Sequence, residues 1–228
     1  MWLSVIAGPT GVGKTDRAIE LARKFDAPIV VLDRVQCHAE LAVGSGRHHA
    51  DESRPRIFLD DRGVADGTIS APAAYRRLCD ILDTRRAGGD QRVVLEGGST
   101  SVLAEMARDS LWRHGADVSV EWLAPDAGYY RDRLTRRVAN MLVGERSMVD
   151  EVRALWPDHR THPVLGGIVG YREVIAAMQA AATLDFDRRT MKALVQDVTE
   201  AHLAYAQEQC RHMRDVLPLL QDDDDPTC

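Results

Sequence analysis

The chain has 228 residues, 45% hydrophobic and 28% charged, the composition of a globular domain and not of a disordered or fibrous chain. A net charge of −6, from 29 basic and 35 acidic side chains, argues against a generally basic nucleic-acid binder and leaves room only for a local basic groove. No run approaches eighteen apolar residues, the opening MWLSVIAG carries no basic leader, and the four cysteines (Cys37, Cys79, Cys210, Cys228) form no CxxC pair, so membrane, secreted, zinc-knuckle and disulfide classes are set aside and a cytoplasmic protein is expected.

In chain order, the first element is LSVIAG (3–8), a short apolar run read as a buried strand. TDRAIELARKF (15–25) has apolar positions at helical spacing, and PIVVLD (28–33) is a second strand. PAAYRRLCDILDTRRAGG (72–89) starts with Pro and stops with Gly-Gly, the signals that open and close a helix. RVVLEG (92–97) and VSVEWLA (118–124) supply two more strands. All four lack alternation, as expected for parallel strands covered by helices on both faces. From about residue 126 the texture is helical throughout: 127–142, 148–156, 170–184 and 190–216. The order predicts an α/β chain, a P-loop NTPase-like three-layer fold with a central parallel sheet and a C-terminal helical part. Residues 1–125 form the core, 126–220 the helical part over the strand ends, and 221–228, with DDDD at 222–225, an acidic tail expected to be disordered.

GPTGVGKT (8–15) stands between the first strand and the first helix and matches a phosphate-binding loop. Gly8, Gly11 and Gly13 allow backbone N–H groups to surround an anion at a helix N-terminus. Lys14 adds a positive charge, and the Thr15 hydroxyl suits a Mg²⁺ ion. The motif specifies a diphosphate-like ligand and leaves the reaction open. Asp33 ends the second strand beside this loop, as a helix cap or as a group that meets substrate or metal. Ser45-Gly46-Arg47 is a small turn ending in a cation. Glu96 follows a buried strand, where an acid can reach a magnesium ion through water. Gly97 and Gly98 let backbone approach closely, which is an equally good reason for that stretch.

GPTGVGKTD, LDRVQCHAELAVGSGR, IFLDDRGVADG, LEGGSTSVL, RRVANML and GYREVI, in this order, resemble the isopentenyltransferases that make cytokinins, in particular the bacterial adenylate dimethylallyltransferases. The resemblance runs to about residue 210. It implies that the loop binds the diphosphate of dimethylallyl diphosphate and that no ATP is hydrolysed. Thr10, Lys14 and Thr15 would then hold the diphosphate and its Mg²⁺, and Arg137 would be a second cation on the leaving group. Asp33 would take the proton from N6 of an adenine nucleotide, with AMP the expected acceptor. Ser45, Gly46 and Arg47 would help place that acceptor. The related tRNA dimethylallyltransferases carry an inserted helical domain for which this chain has no room, so tRNA is not the expected partner.

The chain also departs from the family pattern. VLGGIVGYR (164–172) puts Gly167 and Val169 where acids commonly stand. His202 and Tyr205 occupy the donor-tail positions in the reverse of the usual order, three residues apart on one helical face. Val169 leaves the donor wall short of one polar partner, which favours the unmodified prenyl donor over a hydroxylated one unless His202 or Tyr205 meets the hydroxyl. Three other readings stay open at this point: a same-fold transferase acting on a different nitrogen, a P-loop kinase, and a nucleotide-binding module without catalysis.

Overall fold

The structure, a computed structural model, describes residues 1–47, 55–109, 112 and 117–220. The acidic tail at 221–228 lies outside the described residues. Five strands form one parallel sheet: β1 (Trp2–Ala7), β2 (Ile29–Val31), β3 (Arg56–Phe58), β4 (Arg92–Gly97) and β5 (Asp117–Trp122), in spatial order β3-β2-β4-β1-β5. Four were expected; β3 is the addition. It is three residues long, half-buried, and pairs on one side only, with β2. So short an edge strand has no apolar run to betray it.

The continuous apolar runs of the central strands follow from burial on both faces. Ile6, Ile29 and Val94 point to α1 (Lys14–Phe25) and pack with Ala18, Ile19 and Ala22. Their neighbours Val5, Val30 and Leu95 point the other way, into a larger cluster with Leu78 and Leu82 of α3 (Ala71–Ala87) and Val102 and Met106 of α4 (Thr100–Arg108). The hydroxyl of Ser70 accepts a hydrogen bond from the Ala73 N–H, and Pro72 sits in the first turn, which is why α3 begins where it does.

Among the described residues between β2 and β3 are two short 3-10 helices (Val35–Cys37 and Ala39–Leu41) and one turn of α-helix, α2 (Ala42–Ser45). Among the described residues the elements after β5 are helical: α5 (Tyr130–Val143), α6 (Met148–His159), α7 (Pro163–Gly167), α8 (Tyr171–Ala181) and α9 (Arg188–Val216). They close a separate apolar cluster, with Val138, Met148, Val152, Tyr171, Val174 and Val198 among its members. Helix α9 joins the two cores. Leu194 and Val198 enter the helical cluster, whereas Met213, further along the same helix, enters the sheet cluster. At about 1.5 Å per residue its 29 residues run for roughly 43 Å, enough to cross the molecule. Among the described residues no helix is long and apolar enough to cross a membrane.

Candidate active site

Parallel strands end in register at one edge of the sheet. Ala7 of β1 lies level with Gly97 of β4, and Leu32, just past β2, donates its N–H to the carbonyl of Glu96 at 2.7 Å. The phosphate-binding loop, Asp33 and Glu96 therefore emerge side by side, where open α/β sheets bind ligands. They open on a cavity of about 1160 Å³, whose far wall comes from α5, α7 and α9.

The loop is braced from the helical side. The Tyr130 hydroxyl donates to the Thr10 carbonyl at 2.7 Å, and the Thr10 N–H donates to Gln209 Oε1 at 3.1 Å. Gln209 in turn donates from Nε2 to the carbonyl of Gly98 at 2.8 Å. One amide side chain thus fastens the loop to the end of β4. Gly97 and Gly98 are there for close approach: a Cβ on Gly97 would lie 2.3 Å from the Leu32 carbonyl oxygen, an impossible contact. The close-approach reading of the glycine pair holds, and Glu96 beside it still faces the loop.

Lys14 folds back and donates from Nζ to the Pro9 carbonyl at 2.7 Å. Burial lowers its ammonium to about 8, against the pull of Glu96 and Asp33 and with help from Arg137. A further anion beside it would raise that value again. Arg137 lines the same cavity; burial lowers its pKa too, while Asp33 and then Glu96 oppose the shift. Its guanidinium packs on Gly46, where a Cβ would come within 2.7 Å of Nη2.

Thr15 Oγ1 donates to the Glu96 carboxylate, 3.1 Å to Oε2 and 3.3 Å to Oε1. A hydroxyl and a carboxylate at a phosphate site are a fitting donor set for Mg²⁺, which takes few protein ligands and completes its shell with water and phosphate oxygens. Among the described residues no cluster of three or more His, Cys, Asp or Glu side chains offers a dedicated metal cage.

Asp33 is fixed by its own turn and faces the cavity. Its Oδ1 accepts the Val35 N–H at 2.8 Å, an Asx-type turn that starts the following short helix. Its Oδ2 accepts from Gln36 Nε2 at 3.3 Å, and the carboxylate lines the cavity. Ser45 and Gly46 line it as well. Arg47 does not. Its Nη1 donates to the carbonyls of Gln36 (2.8 Å) and Cys37 (3.0 Å), its Nη2 to Asp61 (2.9 Å), and its guanidinium lies 4.2 Å from the Phe58 ring centre. The expected acceptor contact is here a loop brace, because three oxygen acceptors and an aromatic face already hold the side chain.

On the helical wall, Gly167, Val169, His202 and Tyr205 all face the cavity. His202 is buried, and neither ring nitrogen has a partner. Burial, then Arg137 and Arg172, push its pKa down to about 4, so the ring is neutral at physiological pH. Two buried ring nitrogens without a partner in the protein are costly.

The isopentenyl transferase family model matches residues 1–220. The chain belongs to the isopentenyl transferase family. It is similar to the adenylate dimethylallyltransferase of Agrobacterium fabrum, 40% identical over 178 residues, covering 75% of this chain and 72% of that protein. The enzyme of the same name from Agrobacterium tumefaciens strain Ach5 is 36% identical over 221 residues, covering 92% and 90%. Among solved structures, the tRNA isopentenylpyrophosphate transferases of Staphylococcus epidermidis (TM-score 0.73, 16% identity, 94% of this chain and 90% of that one) and Bacillus halodurans (TM-score 0.73, 17%, 94% and 87%) share the fold. Both the expected α/β architecture and the family resemblance are borne out.

Four side chains of this family member that brace the site escaped the sequence reading: Gln36, Arg56, Glu151 and Tyr171. Glu151 of α6 accepts the N–H of Val43 at 2.7 Å and the Tyr171 hydroxyl at 2.5 Å. That hydroxyl also accepts the Gly44 N–H at 3.1 Å. A Cβ on Gly44 would lie 2.4 Å from the same oxygen, so only glycine fits there. Gly44 and Tyr171 lie within the motifs GSGR belongs to and GYREVI opens; their contact across 127 residues had no local signal.

Proposed function

We propose that the protein transfers a dimethylallyl group from dimethylallyl diphosphate to N6 of an adenine nucleotide, AMP in the first instance, and releases diphosphate. The observation that carries this reading is the opening of the phosphate loop and Asp33 on one cavity, large enough for two reactants, in a chain that belongs to this family. Relatives named adenylate dimethylallyltransferase over most of the chain support the donor and the acceptor class.

The chemistry suits these side chains. The exocyclic amine of adenine is a poor nucleophile, because its lone pair is delocalised into the ring. As N6 attacks C1 of the donor, the N–C bond forms and the C1–O bond to diphosphate breaks. The N6 proton passes to the Asp33 carboxylate, which Val35 and Gln36 hold in place. Negative charge grows on the departing oxygens, where Lys14, Arg137 and the loop amides oppose it. Mg²⁺ at Thr15, with Glu96 behind it, would add a Lewis acid for the same charge. Thr10 is held by both its backbone groups and fixes the height of the loop under the diphosphate. The cavity brings both reactants together and so replaces a bimolecular encounter with a positioned one.

The test is a product assay by mass spectrometry: dimethylallyl diphosphate and Mg²⁺ against AMP, ADP, ATP, tRNA and other amines. The expected result is an adenine nucleotide heavier by one prenyl group, with AMP used best. ATP consumption without a prenylated product would defeat the reading in favour of a kinase. Prenylation of a non-adenine amine alone would keep the reaction and replace the acceptor.

A further inference from the structure

Arg56, at the start of the short edge strand β3, does not line the cavity, yet its guanidinium joins Glu96, Gln36 and the end of α2. Nη1 donates to Glu96 Oε1 at 3.2 Å and to Gln36 Oε1 at 3.3 Å. Nη2 donates to the carbonyls of Gly46 (3.3 Å) and Arg47. Glu96 is the partner of Thr15 in the phosphate loop, and Gln36 is the partner of Asp33. The ion pair is buried, with side-chain exposures of 6% for Arg56 and 2% for Glu96. The one-turn helix α2 thus hangs between two charges. Glu151 takes the N–H groups of Val43 and Gly44 at its start, and Arg56 takes the carbonyls of Gly46 and Arg47 at its end.

We propose that Arg56 is a positioning residue that couples occupancy of the phosphate loop to the acceptor-binding loop, so that donor binding prepares the protein for the nucleotide. The idea rests on the reading above for which ligand each part takes. Diphosphate with Mg²⁺ at the loop would engage the Thr15 oxygen and, through water, draw on the Glu96 carboxylate. The share of Glu96 left to Arg56 then changes, and the planar fork of Arg56 transmits that shift to the loop carbonyls and to Gln36 beside Asp33. Coupling through a hydrogen-bonded chain of this kind is reciprocal: the nucleotide strengthens diphosphate binding by the same factor.

Calorimetric titration of AMP, with and without saturating inorganic diphosphate and Mg²⁺, measures the coupling. The wild type is expected to bind AMP about fivefold or more tightly when diphosphate is present. Arg56→Lys keeps one positive charge for Glu96 but cannot reach both partners, so the factor should fall to about one. Glu151→Gln loosens the other end of α2; it should weaken AMP about fivefold while keeping the factor. Hydrogen exchange on the wild type adds a readout that needs no variant: diphosphate alone should slow the amides of Val43 and Gly44. An unchanged exchange rate, a wild type without coupling, or an Arg56→Lys protein with the full factor would each overturn the proposal. So would a Glu151→Gln protein that loses the factor, since coupling would then reflect loop order in general. If AMP and diphosphate both bind and are competent in the product assay but do not couple, only this inference fails; if neither binds, the functional reading fails with it.

Discussion

The two walls of the cavity are built on different principles. The sheet-side wall consists of residues at the ends of parallel strands: the loop at 8–15, Asp33 and Glu96. Backbone pairing of the strands brings them level. The helical wall consists of single residues on α5, α7 and α9, brought in from far along the chain by an independent apolar core. The first wall handles charge: the Lys14 cation, the Asp33 and Glu96 carboxylates and backbone N–H groups. The second is more mixed, with Val164, Ile168 and Val169 facing the cavity alongside a neutral, unpartnered His202. Arg137 of α5 apart, the division implies that chemistry belongs to the sheet wall and selectivity to the helical wall. Substitutions should split accordingly: large losses in rate on one side, modest changes in substrate preference on the other.

The largest loss is expected at Asp33. Asp33→Asn keeps the Asx turn to Val35 and removes the basic oxygen. Turnover should fall by about 10² to 10⁴, the usual contribution of a general base. Binding of dimethylallyl diphosphate, measured separately, should stay near wild type. Near-normal turnover in this variant would reduce Asp33 to a cap and move the base elsewhere. Lys14→Ala comes next. Removing a cation from a developing oxyanion costs roughly a hundredfold or more in rate, and here donor affinity should fall as well. A loss confined to acceptor affinity would show that the diphosphate does not sit on the loop.

The split between the walls also describes how far the sequence could be read. The phosphate loop, Asp33 and Glu96 were legible because each belongs to a contiguous strand-turn stretch whose apolar run marks where the strand ends. Arg56 was not, since β3 is too short to show a pattern and its partners are 40 residues away at Glu96 and 20 at Gln36. Glu151 looked like any acid in the first turn of a helix; only packing reveals that it anchors α2 across 108 residues. The resemblance gave Arg47 an acceptor role, but no sequence signal could show the oxygens of Gln36, Cys37 and Asp61 that hold its guanidinium. His202 and Tyr205 were found by family resemblance alone, and the structure puts both on the cavity.

A smaller and more graded effect is expected from pH. In the free protein Lys14 is lowered to about 8, so it carries its charge below that value and loses it above. The kcat/KM for the donor should therefore be flat on the acid side of pH 8 with respect to this group. Above pH 8 it should drop toward tenfold per unit. Once diphosphate is bound, its charge raises the Lys14 pKa again, so kcat should hold to a higher pH than kcat/KM. Identical limbs in both profiles would mean that Lys14 does not meet the bound diphosphate. Rapid initial rates at saturating and at limiting donor separate the two.

The smallest effect, and the one that probes the helical wall, concerns the tail of the donor. Val169 stands where an acid is common in the family, and Val164 and Ile168 flank it on the cavity. On that ground alone a hydroxylated prenyl donor would bury its hydroxyl without a partner, at a cost of about 1–3 kcal/mol. That amounts to roughly 5- to 150-fold in kcat/KM, at 1.36 kcal/mol per tenfold. His202 changes the balance. It is neutral at pH 7, so one ring nitrogen donates and the other accepts, and neither is used by the protein. A hydroxyl on the donor tail would pair with one of them where the wall gives way enough to expose it. The wild type should therefore use dimethylallyl diphosphate and its hydroxylated analogue within about tenfold of each other. His202→Phe fills a similar volume, removes both nitrogens and should widen the preference for the unmodified donor to tenfold or more, with turnover on that donor little changed. The two donors, competed in one tube and read by product mass, decide it. A wild type that already rejects the hydroxylated donor strongly, with His202→Phe unaltered, would mean that the apolar residues around Val169 set donor choice by themselves and that His202 serves another group of the bound reactants.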